Sequence, residues 1–209
     1  MLYFANPSTQ PIRDAMQDQP KLGFIATPDS SRPCQRVDGA QWCADNGCFG
    51  KKDFDEARWW RWLTAQVKHL NTCLFATAPD VVGNHVATIE RSEQWLPKIR
   101  ELGFPAAFVA QDGAEPDTIP WSTFDVLFVG GTTAWKLGQQ ARRVISHAKS
   151  IGMWVHFGRV NSARRYRYAD HLGCDSADGT FLIFGPDKNL PKLIEWLEES
   201  VNCEPLFRG

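Results

Sequence analysis

The sequence contains no apolar run long enough to span a membrane: stretches such as Phe124–Gly131 break within about eight residues, against the roughly 20 that a transmembrane helix needs. It has no excess of charge of either sign. With 23 Lys and Arg against 24 Asp and Glu, net −1, there is no global attraction to nucleic acid or anionic lipid, so any such binding requires a local patch. The N-terminal Met1-Leu2-Tyr3-Phe4-Ala5-Asn6-Pro7 lacks a basic start, an apolar stretch and a small-residue cleavage site, so the cytoplasm is the expected compartment. The six cysteines include no CxxC pair, and Cys34, Cys43 and Cys48 are spaced nine and five residues apart, unlike structural zinc motifs. Reduced thiols and no metal are expected. Neither GxGxxG nor GxxxxGK[ST] follows the first strand-like run, which removes the usual nucleotide-fold signatures.

What is present is an ordinary globular composition, 43% apolar and 22% charged over 209 residues, enough for one domain spanning 1–209 with a sizeable core. Short apolar runs alternate with amphipathic segments. Strands are expected at Leu2–Ala5, Leu22–Ala26, Gln41–Ala44, Cys73–Ala76, Ala106–Ala110, Asp125–Val129, Trp154–Phe157 and Cys174–Asp178. Helices are expected near Pro11–Gln17, at Asp55–Leu70, Val86–Leu102, after Thr133 to Ser150, at Ser162–Leu172 and at Leu190–Glu199. Eight βα units of about 26 residues each fit a compact (β/α)8 TIM barrel, with a doubly wound open sheet as the competing architecture.

In such a barrel the C-terminal ends of the strands converge. Here those ends carry Asp45, Asp80, Gln111, Gly130-Gly131, His156-Phe157-Gly158-Arg159 and Asp175 with Asp178. A guanine-like heterocycle presents N–H donors that a carboxylate accepts and a carbonyl that calls for an amide donor, and Asp80, Gln111 and Gly131 supply those groups. Phe49 and Phe157 are placed either to stack on such a ring or to fill the core. Asp45 and Asp178 are either a nucleophile and acid–base pair suited to chemistry at an anomeric carbon, or members of Asp-Asn-Gly and Asp-Gly turns.

Taken together and in order, these motifs resemble the tRNA-guanine transglycosylase superfamily, closest to its shorter branch, the phage and bacterial DpdA-type DNA 7-deazaguanine transglycosylases. The resemblance spans about Trp42 to Glu199. Trp42-Cys43-Ala44-Asp45-Asn46-Gly47-Cys48-Phe49 is similar to the family's TDSGGYQ-type segment, with Asn46 replacing its serine and Cys48 its second glycine. Ala78-Pro79-Asp80 falls at the second base-reading Asp. Val109-Ala110-Gln111-Asp112-Gly113 resembles the Gln-containing segment, and Phe128-Val129-Gly130-Gly131 the glycine segment that contacts the base through its backbone. Val155-His156-Phe157-Gly158-Arg159 is similar to the strand whose apolar side chain covers the purine's other face, and Gly173-Cys174-Asp175-Ser176-Ala177-Asp178-Gly179 to the GxDxFD segment that ends in the nucleophile.

The resemblance implies Asp178 as nucleophile and Asp45 as acid–base, with Asp80, Gln111, Gly130, Gly131, Phe49 and Phe157 around the base. It implies a reaction without metal or cofactor. The partners would be DNA, entering as a flipped-out guanine, and a free 7-deazaguanine such as 7-cyano-7-deazaguanine. The zinc motif that follows the last strand in tRNA-acting members is missing: beyond Asp178 there is only Cys203 and no histidine. That favours DNA over tRNA, while a tRNA-acting enzyme and a non-catalytic purine- or nucleic-acid-binding barrel remain alternatives. Arg159, Arg164, Arg165, Arg167 and Lys188 form the expected backbone-binding patch, against the alternative of a solvated helix face. A helicase-like accessory protein and a homodimer stay open.

Overall fold

A computed structural model of the protein describes residues 1–28, 35–49 and 53–200. Cys34 and Cys203 lie outside the described residues. The strands are β1 Leu2–Ala5, β2 Leu22–Ala26, β3 Trp42–Ala44, β4 Cys73–Thr77, β5 Ala106–Ala110, β6 Val126–Val129, β7 Trp154–Phe157 and β8 Ser176–Asp178. Every neighbouring pair is parallel, and β8 returns to β1 with Leu2 beside Ser176 and Phe4 beside Asp178, closing the sheet. The protein is a (β/α)8 TIM barrel, and the β1–β8 pairing excludes the open sheet.

The helices are α1 Gln10–Asp18, α2 Glu56–Ala65, α3 His85–Glu93, α4 Leu96–Glu101, α5 Thr133–Leu137, α6 Gln139–Ser150, α7 Ala163–His171 and α8 Pro186–Glu199. Three expected long helices are broken. The one starting at Asp55, which caps α2 by accepting from the Arg58 N–H at 2.8 Å, gives way after Ala65 to a 3-10 turn over Val67–Thr72. The second divides at Trp95, with Pro97 in the first turn of α4, where its missing N–H costs nothing. The third divides at Gly138. Between β5 and β6 the helical element is a 3-10 turn over Trp121–Thr123, so strict alternation of strand and helix fails there.

Both faces of each strand are buried, and the two faces build different cores. Phe4, Cys43, Phe75, Ala107 and Val126 fill the barrel interior, with Phe128 and Trp154 packed against them. Tyr3, Phe24, Trp42, Phe108, Val155 and Phe157 point outward into the layer beneath the helices. Period-two alternation therefore turns Trp154 and His156 of β7 inward and Phe157 outward. Among the described residues, no helix is long and apolar enough to cross a membrane. Cys43, Cys48, Cys73 and Cys174 are buried.

Candidate active site

The C-terminal ends of the strands enclose a cavity of about 360 Å³ to which every strand or the loop following it contributes. Asn6 follows β1, and Ile25 and Thr27 come from β2 and its end. Asp45, Asn46 and Phe49 follow β3, while Thr77 closes β4 ahead of Asp80 and Val82. Val109 and Gln111 come from β5, Phe128 and Gly130 from β6, Arg159 follows β7, and Asp178 ends β8 with Thr180 and Ile183 beyond it. The size suits a single heterocycle with part of a sugar.

Asp45 and Asp178 line the same cavity. Burial, reinforced by the negative charges of Asp178 and Asp80, raises the Asp45 carboxyl from 3.8 to about 7. Asp178 is held differently. Its Oδ1 lies 3.0 Å from His156 Nε2 and accepts the Arg159 backbone N–H at 3.2 Å. Two carboxylates in one cleft, one drawn toward holding a proton at neutrality and the other fixed by N–H donors, can divide acid and nucleophile roles between them.

Beside them lies a buried polar lock. Asn46 Nδ2 donates to Ala78 O and to Asp80 Oδ1, both at 2.7 Å, while Asn46 Oδ1 accepts the Cys48 N–H at 2.8 Å. Gln111 Nε2 donates to Asp80 Oδ2 at 2.5 Å, and Gln111 Oε1 accepts the N–H groups of Gly83 at 2.9 Å and Gly131 at 3.0 Å. Burial pushes the Asp80 carboxyl upward, opposed by the Asn46 and Gln111 donors. Asn46 thus has a structural role, with both amide hydrogens and its carbonyl oxygen engaged in tying the loop after β3 to the loop after β4 and to its own turn. What remains for a ligand is the second Nε2 hydrogen of Gln111 and the spare lone pairs of Asp80.

The glycine segment departs from expectation. Gly131 adopts φ +51°, and a Cβ there would meet Trp135 at 2.4 Å, so glycine is required. The Gly131 N–H is spent on Gln111 and the Gly130 N–H on Ala110 O, while both carbonyls accept from the Arg159 guanidinium. Gly130 lines the cavity, but the backbone groups expected to meet a base are already paired within the protein. Among the described residues, Arg159 is the one non-glycine with positive φ, +59°. Its guanidinium lies 4.4 Å over the ring of Phe49, which is 60% exposed at the mouth.

Phe157 is not a stacking aromatic. It points into the strand–helix layer at 1% exposure, edge-on to Tyr168 at 6.0 Å, and the ring on that wall of the cavity is Phe128 instead. The basic patch also divides. Arg164 and Lys188 are exposed in the first turns of α7 and α8, and Arg165 is half-buried near Arg159. Arg167 is paired with Glu199 at 2.9 Å near the far end of α8, away from the mouth. In (β/α)8 barrels helices run down from the catalytic end, so a residue paired with the last turn of α8 belongs to the bottom of the barrel.

Three residues escaped the sequence reading. Phe128 is one. Thr77 is another: it is 1% exposed and lines the cavity, and its buried hydroxyl has no partner among the described residues. Lys136 is the third, donating to Gly158 O behind the wall, with its amine lowered to about 7 by burial and by the charge of Arg159.

No family model matches the chain, and no curated protein matches it. Solved structures do. A tryptophan synthase chain from M. tuberculosis is 14% identical with a TM-score of 0.59, the match covering 95% of this chain and 88% of that one. The 3-hexulose-6-phosphate synthase of Salmonella typhimurium is 13% identical with a TM-score of 0.55, covering 95% of this chain and 99% of that one. At such identities the likeness is one of fold, the TIM barrel.

Proposed function

We propose that the protein is a guanine transglycosylase that exchanges guanine in DNA for a 7-deazaguanine. The Asp178 carboxylate attacks C1′ of the target deoxyguanosine. The C1′–O bond forms as the C1′–N9 bond breaks, the bonding electrons leave with the base, and protonated Asp45 delivers a proton to it. The incoming 7-deazaguanine gives its ring N–H proton to the Asp45 carboxylate and displaces Asp178, so two inversions give net retention. No external oxidant, reductant or further co-reactant enters the balance.

The observation that carries this reading is the pairing of Asp45 and Asp178 in one cavity, with Asp45 raised to about 7 while Asp178 is held by N–H donors. The adjoining Asp80 and Gln111 supply an acceptor and a donor for an amide-edged heterocycle, and Ile25, Val109 and Phe128 supply apolar walls. Around the mouth Phe49, Val82, Ile183 and Phe184 are 60, 42, 45 and 75% exposed, an apolar rim suited to the unstacked neighbours of an extruded nucleotide. DNA is preferred over tRNA because β8 leads through a short loop into α8, with no insertion where the tRNA-acting relatives carry their zinc element.

The test is covalent trapping. A guanine-containing oligonucleotide incubated with the protein and denatured should remain attached through Asp178 by peptide mass mapping. An adduct that survives Asp178→Ala, or attachment at another residue, would overturn the assignment.

A further inference from the structure

Inside the barrel, directly beneath Asp178, a column of hydrogen bonds climbs from the bottom of β7. Trp154 Nε1 donates to Ser176 Oγ at 3.0 Å, Ser176 Oγ lies 2.9 Å from His156 Nδ1, and His156 Nε2 lies 3.0 Å from Asp178 Oδ1. The imidazole is 0% exposed and enclosed by the rings of Phe4, Phe75 and Phe128 at centroid distances of 5.9, 5.1 and 4.5 Å.

The polarity of this column follows from its two ends. An indole N–H can only donate, so Ser176 Oγ accepts from Trp154, and its own hydrogen goes to His156 Nδ1 when the neutral imidazole carries its proton on Nε2. A carboxylate can only accept, so the ring proton belongs on Nε2, facing Asp178. The cage of phenyl rings offers no competing partner and holds the imidazole plane. On Asp178 the consequence is an asymmetry between its oxygens: Oδ1 accepts both from His156 and from the Arg159 backbone N–H, whereas Oδ2 accepts no hydrogen bond among the described residues.

We propose that His156 is the positioning residue of the nucleophile, a fixed Nε2–H donor that anchors Oδ1 of Asp178 and so presents Oδ2 as the oxygen that attacks C1′. The proposal rests on the transglycosylase reading of Asp178 and adds a residue to it. Holding one oxygen restricts carboxylate rotation before attack. It also keeps an N–H on the oxygen that becomes the ester carbonyl of the glycosyl-enzyme, where the same donor steadies the leaving carboxylate in the second displacement.

The experiment compares wild type, His156→Phe, His156→Gln and Ser176→Ala. Phenylalanine fits the aromatic cage but has no donor, glutamine can restore an N–H near the Nε2 position, and alanine at 176 removes the group that orients the ring from below. In single-turnover release of labelled guanine from DNA, His156→Phe should slow the chemical step by about 100-fold or more and Ser176→Ala by about tenfold, with the KM for DNA unchanged. His156→Gln should recover at least part of the loss. A merely structural histidine would raise KM or lower stability without that split and without rescue by glutamine.

A second readout does not depend on activity. In the ¹⁵N spectrum of histidine-labelled protein, the resonances lost in His156→Phe should show a protonated Nε2 and an unprotonated Nδ1, and should shift in Asp178→Ala. If wild type releases guanine and His156→Phe does so equally fast, the positioning role is overturned while the transglycosylase reading stands. If wild type releases none, that reading fails, and the ¹⁵N spectrum alone decides the contact: a proton on Nδ1, or no response to Asp178→Ala, overturns it.

Discussion

Asp178 and Asp45 share one cavity, and the negative charge of the first raises the proton affinity of the second: together with burial it carries the Asp45 carboxyl from 3.8 to about 7. In a cleft floored by Ile25, Val109 and Phe128, two ionised carboxylates are costly, and the cost is met by leaving a proton on Asp45. That proton is what a departing purine needs.

The rate of guanine release should therefore depend on pH in a known direction. Protonated Asp45 is the active form for the first displacement, so single-turnover release falls as pH rises through about 7. Asp45→Asn should slow release by about 10² to 10⁴-fold and flatten the profile. A wild-type rate that rises through the same range contradicts the acid role.

The same shift makes Asp45 a liability for stability. Below about pH 4 the folded and unfolded chains both hold the proton and the group contributes nothing. As pH rises toward 7 the unfolded chain ionises first, so folding loses stability, reaching about 4 kcal/mol above that range. Asp45→Asn should raise the urea midpoint at pH 8 and leave it nearly unchanged at pH 4. Equal effects at both pH values would show that the carboxyl is not held protonated.

Gln111 ties its own loop to two others, through Asp80 and the Gly83 N–H after β4 and the Gly131 N–H after β6. Gln111→Ala strands the buried Gly131 N–H, frees the part-buried Gly83 N–H and removes a donor from Asp80, a cost of about 2–4 kcal/mol in denaturant unfolding. A change below about 1 kcal/mol would mean that water replaces the amide.

Phe128 and Phe157 should separate binding from folding. Phe128→Ala removes a wall of the cavity and should weaken binding of a free 7-deazaguanine by about 10-fold or more in calorimetry. Phe157→Ala should cost about 3–5 kcal/mol of stability with the affinity of the folded protein preserved. The reverse pattern would mean that β7 runs in the other register.

The strands were legible because each apolar run stops at a turn signal, and seven of the eight begin and end as the pattern predicts or within one residue at one end, β8 alone starting two residues later than expected. Helix breaks at Trp95 and Gly138 were less legible, since the amphipathic spacing continues across them. Parity was not legible at all. In Trp154-Val155-His156-Phe157 both strand faces are buried, so period-two patterning cannot tell barrel interior from outer layer, and Phe157 was expected in the cavity when His156 and Phe128 hold the inward positions. Arg167 drops out of the basic patch for a non-local reason, its pairing with Glu199 across two helices. The carboxylates Asp45 and Asp178 were legible because a closed barrel brings strand ends together whatever their separation in sequence.

The most direct test of the central claim is base exchange itself. Purified protein is incubated with DNA carrying labelled guanine and an excess of 7-cyano-7-deazaguanine, with tRNA in a parallel reaction, and released label and nucleoside mass are followed. The account predicts loss of label from DNA matched by gain of the deazaguanine nucleoside, both abolished in Asp178→Ala. Release of guanine without incorporation, or exchange in tRNA alone, would contradict it.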